Sequence, residues 1–456
     1  MIRFYDSYSK RKKVFKPVEE DYVKIYTCGP TVYWHQHIGN LRAYIFSDTL
    51  KRVILYAGHK VRHVINVTDV GHLTEDDFGE DKVEKRAKEE KKTVQEITNF
   101  YFSRFKNDLK KLKVIEPDFW LYATEHIREQ IELIKKLEEK GYTYITGDGV
   151  YFDTSKFKYY GKLSNKKTGE LIGGKRIKIG EKKNITDFAL WKFSKPEEKR
   201  QQEWESPWGR GFPGWHIECS AMAIEYLGKR IDIHTGGEDH IHIHHENEIA
   251  QSEAALGVHP WVNFWMHVGF LLKEKEKMSK SKGRILTLSE VEKLGFSAMD
   301  FRFLNFLTHY RKQLHWSIEA IENAKTSLLR IKKIIENIKD DGRINREYLK
   351  EFEERIYDDL DMPGAVAVLW KLLRDEKANG KIKTIEKMDS VFGLGLLEKE
   401  NIKIPDEVLE LAKKRSELRK QKKWLEADEI REKIASLGWK IDDVGFDWKL
   451  EKLHKP

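Results

Sequence analysis

Four side chains in this 456-residue chain have the chemistry to grip one soft divalent cation: Cys28, Cys219, His244 and Glu248. His244 and Glu248 are four residues apart, which sets both on one face if the segment is helical. The two cysteines are the only ones present, so a disulfide framework and a four-thiolate site are both excluded. Any metal must therefore add imidazole or carboxylate ligands, and two thiolates, one imidazole and one carboxylate suit zinc. His234, His240, His242 and His245 are rival ligands in the same stretch, so the imidazole that completes the set stays open on spacing alone.

A second group suits an anion. Residues 28–40, CGPTVYWHQHIGN, join an apolar strand-like segment to the start of a helical pattern. A helix N-terminus presents unpaired amides and the positive end of its dipole to phosphate. Gly39 lets a ligand approach the backbone closely, and His37 and Asn40 can donate to the same anion. About 240 residues later comes KMSKS at 277–281, where Lys277 and Lys280 flank small polar residues. Such a pair can neutralise charge developing on a phosphate leaving group.

These residues need a scaffold, and the pattern supplies one. YVKIYTC at 22–28 reads as a strand, and Leu41, Tyr44, Ile45, Val53, Ile54 and Ala57 then mark a helix from Ile38 that Gly58 ends before the strand VRHVINVT. Strand, helix and strand in under 50 residues predict a Rossmann-like parallel sheet, with ligands at the carboxyl ends of its strands. The sheet domain spans 1–295 in this reading, with an insertion at about 84–204 that is helical at first and irregular over 141–200. The α/β pattern resumes at RIDIHTGG. Residues 296–400 read as an α-helical bundle and 401–456 as a small C-terminal domain with helices at about 406–420 and 424–436. Its Arg415, Arg419, Lys420, Lys422, Lys423, Trp424 and Arg431 make a basic helical pair with one aromatic.

Composition sets limits. Lys and Arg outnumber Asp and Glu by 84 to 75, a net charge of +9 that permits a polyanionic partner without requiring one. With 35% charged residues, no apolar run of about 18 residues exists to cross a bilayer, and the first residues lack the apolar core of a secretory signal. A cytoplasmic protein with no membrane partner is expected.

The HIGN and KMSKS segments together resemble the HIGH and KMSKS elements of class I aminoacyl-tRNA synthetases. CGPTVY at 28–33, NVTDV at 66–70, DFALWK at 187–192, PGWHIECSAMA at 213–223, HHENEIAQSEA at 244–254 and WMHVG at 265–269 narrow the resemblance to the cysteinyl branch, over nearly the whole length. The resemblance implies activation of L-cysteine with ATP and Mg2+ to cysteinyl-adenylate, then transfer to the 3′ end of the tRNA for cysteine. It implies one zinc per chain on Cys28, Cys219, His244 and Glu248. It also implies an amino-acid pocket lined by Thr68 and Trp215, and nucleotide contacts at Gly39, Gly236, Gly237, Asp239, His267, Gly269 and Lys280. His37, Asn40, Lys277 and Lys280 take the catalytic roles, the C-terminal domain binds the anticodon, and a monomer is expected. Two alternatives are a ligase paralogue with an amino-sugar acceptor and a non-catalytic nucleic-acid-binding relative. The segment EDHIHIHH and the Asn of HIGN depart from the family pattern, the second by giving up a group that could become cationic.

Overall fold

The computed structural model describes residues 1–75, 78–165, 181–195, 197, 200–273, 276–277, 286–398, 404–444 and 447–452. Its centre is a five-stranded sheet in the spatial order Val262–Val268, Ile231–Gly237, Val23–Thr27, Val61–Val67, Phe119–Tyr122, with every neighbouring pair parallel. Every residue of Val23–Thr27 is buried, as an inner parallel strand covered on both faces requires. From Val23–Thr27 the chain moves outward to Val61–Val67 and Phe119–Tyr122, then returns to the opposite side through Ile231–Gly237. The order therefore reverses between Val23–Thr27 and Ile231–Gly237, and a crevice opens at their carboxyl ends. Cys28, Gly236, Thr68 and Gly269 all sit at the carboxyl ends of these strands or just beyond them.

The first strand feeds α1 (Ile38–Tyr56), and Gly58 follows its end with φ 89°. The α2 (Lys82–Glu90) and α3 (Val94–Lys111) helices form a hairpin turned by Lys91 in the left-handed region. Phe119–Tyr122 then adds the edge strand of the central sheet, within the stretch expected to be an insertion. Four residues, FWLY, show neither a strand alternation nor a helical period, so the sequence carries no signal for it. After α4 (Ile127–Glu139), the region that reads as irregular contributes a four-stranded antiparallel sheet, Gly211–Pro213, Phe188–Phe193, Gly149–Phe152 and Thr143–Thr146. A register shift between Ala189 and Trp191 and the shortness of its strands hide it from pattern reading. The α5 (Trp215–Leu227) and α6 (His244–Leu256) helices return the chain to the crevice.

Beyond the short α7 (Leu288–Lys293), the bundle consists of α8 (Ala298–Phe306), α9 (Ile318–Glu336), α10 (Arg346–Ile356), α11 (Met362–Arg374) and α12 (Lys381–Phe392). Ile321, Ala324, Leu328, Ile331 and Ile335 of α9 are buried at the spacing expected of one apolar stripe. Arg302 of α8 is fully buried and donates from Nε to the Phe392 carbonyl (2.8 Å), from Nη1 to the Leu112 carbonyl (2.9 Å) and from Nη2 to the Asp48 carboxylate of α1. The bundle falls in one compact unit with the sheet, residues 1–292 and 296–396.

A second unit comprises 293–295 and 397–456. In it α13 (Asp406–Lys420), α14 (Trp424–Ser436) and the hairpin Trp439–Val444 and Asp447–Lys452 enclose Val408, Ala412, Ile434, Trp439 and Ile441. Arg415 is buried there and forms a fork with Asp443 at 2.8 and 3.1 Å, so it braces the hairpin and is not the exposed base reader that its place in the basic cluster suggested. Arg419 lies over the Trp424 ring at 5.3 Å, and that ring is 54% exposed. Among the described residues no helix is long and apolar enough to cross a membrane.

Candidate active site and metal centre

Cys28 is the first residue after Val23–Thr27, Cys219 lies in the first half of α5, and His244 and Glu248 open α6. Their donor atoms all lie within 4.8 Å of one another, and all four residues are buried. A second set, Cys28, His234, His245 and Glu248, meets the same limit and shares two members with the first. His244 Nε2 is 3.0 Å from Glu248 Oε1, His234 Nε2 approaches the other oxygen, Oε2, at 2.8 Å, and His245 Nε2 is 3.2 Å from the Cys28 sulfur. His234 and His245 thus brace Glu248 and Cys28, the two members that both sets share.

The histidines continue outward as a chain. His245 Nδ1 meets His267 Nε2 at 2.7 Å, and His267 Nδ1 meets Ser7 Oγ at 2.8 Å. Both ring nitrogens of His267 are engaged, one by His245 and one by Ser7, which fixes the ring beside the cysteine and histidine cluster. On the other side His216 Nδ1 lies 2.9 Å from His244 Nδ1, and Gln251 donates to the His216 carbonyl at 2.9 Å. Burial pushes His216, His245 and His267 well below the usual histidine value, which keeps these rings neutral.

The four central groups behave differently. Burial drives the Cys28 thiol well up, reinforced by its hydrogen bond with Cys219. Burial also opposes ionisation of Cys219, but the hydrogen bond from Cys28 and the charge of His244 bring it down to about 6. His244 rises to about 10 because the Glu248 carboxylate and the Cys219 thiolate outweigh its burial, and His234 and His244 hold Glu248 far below the carboxylate range against its own burial. A thiolate and a carboxylate are thus gathered in a dry pocket against the charge of the His244 imidazole. Such a donor set fits a soft divalent cation, which would replace the imidazole proton.

Trp215 forms the wall beside this cluster. Its ring is sandwiched between His72, at 4.2 Å and 5°, and His244, at 4.4 Å and 25°. Thr68 donates to Glu218 Oε1 and accepts from Asn66 Nδ2 at 3.0 Å. Glu218 is buried, its second carboxylate oxygen has no partner among the described residues, and burial lifts its pKa far above the usual carboxyl value. Sequence reading missed His72, His216 and Glu218. Glu218 is one residue from Cys219 and three from Trp215, a spacing that could have drawn attention to it; His72 carries no such signal.

The anion-binding end is equally defined. His37 is the N-cap of α1: its Nδ1 accepts from the Asn40 amide at 3.1 Å, while Asn40 Oδ1 accepts from the His37 amide at 3.3 Å. This reciprocal cap explains why Asn serves in the fourth position of HIGN, and it turns the NH2 end of the side chain away from the cap. No acidic residue occupies the first turn of α1, so its dipole end stays positive. The Ile38 amide donates to the Leu286 carbonyl at 2.9 Å, joining the start of α1 to the segment that follows KMSKS. A Cβ on Gly39 would come 3.0 Å from His37 Nδ1 and disturb this cap. Gly236 and Gly237 are the last two residues of their strand instead of part of a turn, Asp239 is exposed in the short helical turn beyond, and the Gly269 carbonyl accepts from Arg42 Nε at 2.9 Å. Lys277 pairs in the backbone with Leu272, and Lys280 lies outside the described residues.

A capped helix N-terminus at the carboxyl edge of a parallel sheet, with a pocket of cysteines, histidines and a glutamate beside it, is consistent with a class I tRNA synthetase. The family described as tRNA synthetases class I (C) catalytic domain matches residues 14–326. The chain is 45% identical to "Cysteine--tRNA ligase 1" of Burkholderia lata, covering 97% of this chain and 95% of that one. It is 42% identical to "Cysteine--tRNA ligase" of Treponema denticola, covering 99% and 100%, and 40% identical to that of Thermococcus gammatolerans, covering 99% and 100%. The chain belongs to the cysteine–tRNA ligase family. Methionyl-tRNA synthetase of Mycobacterium tuberculosis, solved with methionyl-adenylate, shares the fold with a TM-score of 0.56 at 15% identity, covering 82% of this chain and 88% of that one.

Proposed function

We propose that this enzyme activates L-cysteine with ATP and Mg2+ and esterifies the 3′-terminal ribose of the tRNA for cysteine. The carrying observation is the buried Cys28, Cys219, His244 and Glu248 cluster beside Trp215, one short loop away from the His37 cap. In this reading those four residues hold one zinc. Bound there, zinc would take the substrate sulfur as a thiolate and refuse the harder, far less acidic serine hydroxyl, a distinction that an apolar pocket makes poorly.

The chain's own residues carry the rest. The Trp215 ring, fixed on both faces, walls the side-chain pocket, and Thr68 orients the substrate's main-chain end with its hydroxyl set by Glu218. The start of α1 receives the triphosphate at its positive dipole end, where Gly39 lets it approach the backbone, with His37 and Asn40 donating beside it. The cysteine carboxylate then attacks the α-phosphorus, the bond to the bridging oxygen breaks, and pyrophosphate leaves with its charge met by Lys277 and Lys280. Next the terminal ribose hydroxyl attacks the adenylate carbonyl and AMP departs. Gly236, Gly237, Asp239 and Gly269 border the nucleotide.

Relatives matched over 95 to 100% of their length support a tRNA acceptor over an amino sugar. The 397–456 unit offers the anticodon the exposed Trp424 ring with Arg419 beside it. We read the enzyme as a cytoplasmic monomer. Cysteine-dependent ATP–pyrophosphate exchange, run beside serine and the other amino acids, tests the reading. Exchange with cysteine alone is expected; none with cysteine, or equal exchange with serine, overturns it.

A further inference from the structure

A second cluster lies on the same edge of the sheet, outside the pocket. The loop between Cys28 and His37 carries Tyr33 and Trp34 onto the small core of the α2–α3 hairpin. The Arg86 guanidinium lies 3.8 Å over Trp34, held there by Glu89 at 3.1 Å and Glu90 at 2.7 Å. His35 meets Tyr101 edge-on at 5.1 Å and Phe100 at 6.4 Å. Phe100 is 40% exposed, because the buried face of α3 is already filled by Ile97, Tyr101 and Phe105. Two exposed cations lie over that ring, Arg104 at 5.3 Å and Lys92 at 5.4 Å, the latter also paired with Glu90 at 2.8 Å. An incoming base would take the place of a cation on the ring and leave it to meet the phosphate. None of these side chains has a part in the chemistry above.

One exposed ring is too small an apolar patch to seat a protein partner. A ring attended by cations is what an unpaired base with its phosphates requires, since the base stacks while the cations meet the backbone charge. Charge agrees, for residues 82–92 hold six Lys or Arg against three Glu. Position narrows the occupant. Trp34 stands three residues before the His37 cap, so this platform borders the crevice into which the acceptor ribose must be delivered. We propose that Phe100, with Lys92 and Arg104, is a stacking platform for an unpaired nucleotide at the 3′ end of the tRNA. This rests on the reading of the active site given above.

The test compares Phe100→Ala, Arg104→Ala and Phe100→Trp with wild type in three measurements: cysteine-dependent exchange, single-turnover transfer from preformed adenylate across tRNA concentration, and binding of the tRNA with and without its unpaired 3′ nucleotides. Phe100→Ala should raise the half-saturating tRNA concentration roughly ten- to a hundredfold. Exchange should be unchanged, and Phe100→Trp should keep the wild-type value. The loss on binding should vanish with the shortened tRNA. Unaltered transfer overturns the proposal, as does an equal loss with the shortened tRNA, which would move the contact to the duplex. Absence of exchange in wild type would instead refute the cysteine-activation reading.

Discussion

Gly236→Ala probes whether the histidine chain behind the metal ligands is rigid. An added Cβ would stand 2.7 Å from His245 Cε1 and 2.8 Å from His240 Nδ1. Ordinary van der Waals contact begins near 3.4 Å, so the His245 ring must retreat by about 0.7 Å. It has little room to do so, because Nδ1 is bound to His267 at 2.7 Å, and His267 to Ser7 at 2.8 Å. The easiest movement lengthens the 3.2 Å contact to Cys28 and releases that sulfur from its set position. Overpacking of a filled site costs about 1–3 kcal/mol, which read through ligand binding is roughly a five- to hundredfold loss. The expected result is faster loss of zinc to a competing chelator and a KM for cysteine raised by about tenfold. Zinc retention and cysteine KM both within twofold of wild type would mean that the pocket yields freely, and the support assigned to His245 and His267 would be wrong.

Four further outcomes are expected. Cys219→Ser should lower zinc content and affinity by at least about tenfold in metal analysis, since a hydroxyl replaces a sulfur whose pKa stands near 6. Lys280→Ala should slow pre-steady-state adenylate formation by about a hundredfold while cysteine binding, titrated separately, holds. Burial lifts the Asp69 carboxyl to about 6 against hydrogen bonds from Thr124. The folded state then binds the extra proton between about pH 4 and 6. Stability gains as pH falls through that window, and Asp69→Asn should remove at most about 3 kcal/mol of that gain in paired denaturation curves. Trp424→Ala should spare exchange and weaken tRNA charging by about tenfold, its ring being exposed beside Arg419.

Where local pattern sufficed, the sequence already disclosed the architecture. The first strand, α1 and the second strand are where YVKIYTC, the Ile38 periodicity and VRHVINVT put them, and α13 and α14 lie close to their expected bounds. Family resemblance brought Cys28, Cys219, His244 and Glu248 into one set, and the structure gathers those donors within one pocket. What escaped depends on three-dimensional convergence. Phe119–Tyr122 is too short to show a period, and its place in the central sheet comes from pairing with a strand more than 50 residues earlier. His216 and His72 act through a ring stack and an imidazole contact that spacing does not encode. Arg415 misled because a guanidinium in a basic run looks solvated, whereas a carboxylate 28 residues away on the hairpin draws it inside.

Arg302 has a consequence for how this enzyme can be dissected. One dry guanidinium answers to the middle of α1, the end of α3 and the end of α12, so removing any of these three leaves one of its buried N–H groups without an acceptor. The border between α/β and all-helical sequence near residue 295 is therefore a border of composition and not of cooperativity. A fragment cut there would leave the buried Asp48 carboxylate with Arg52 and the Ile115 amide but without Arg302, and should populate unfolded chain instead of a miniature ligase. Native-state hydrogen exchange should find α1 and α12 opening together, as one foldon, with the helix that carries the His37 cap no more independent than the bundle that follows it in sequence.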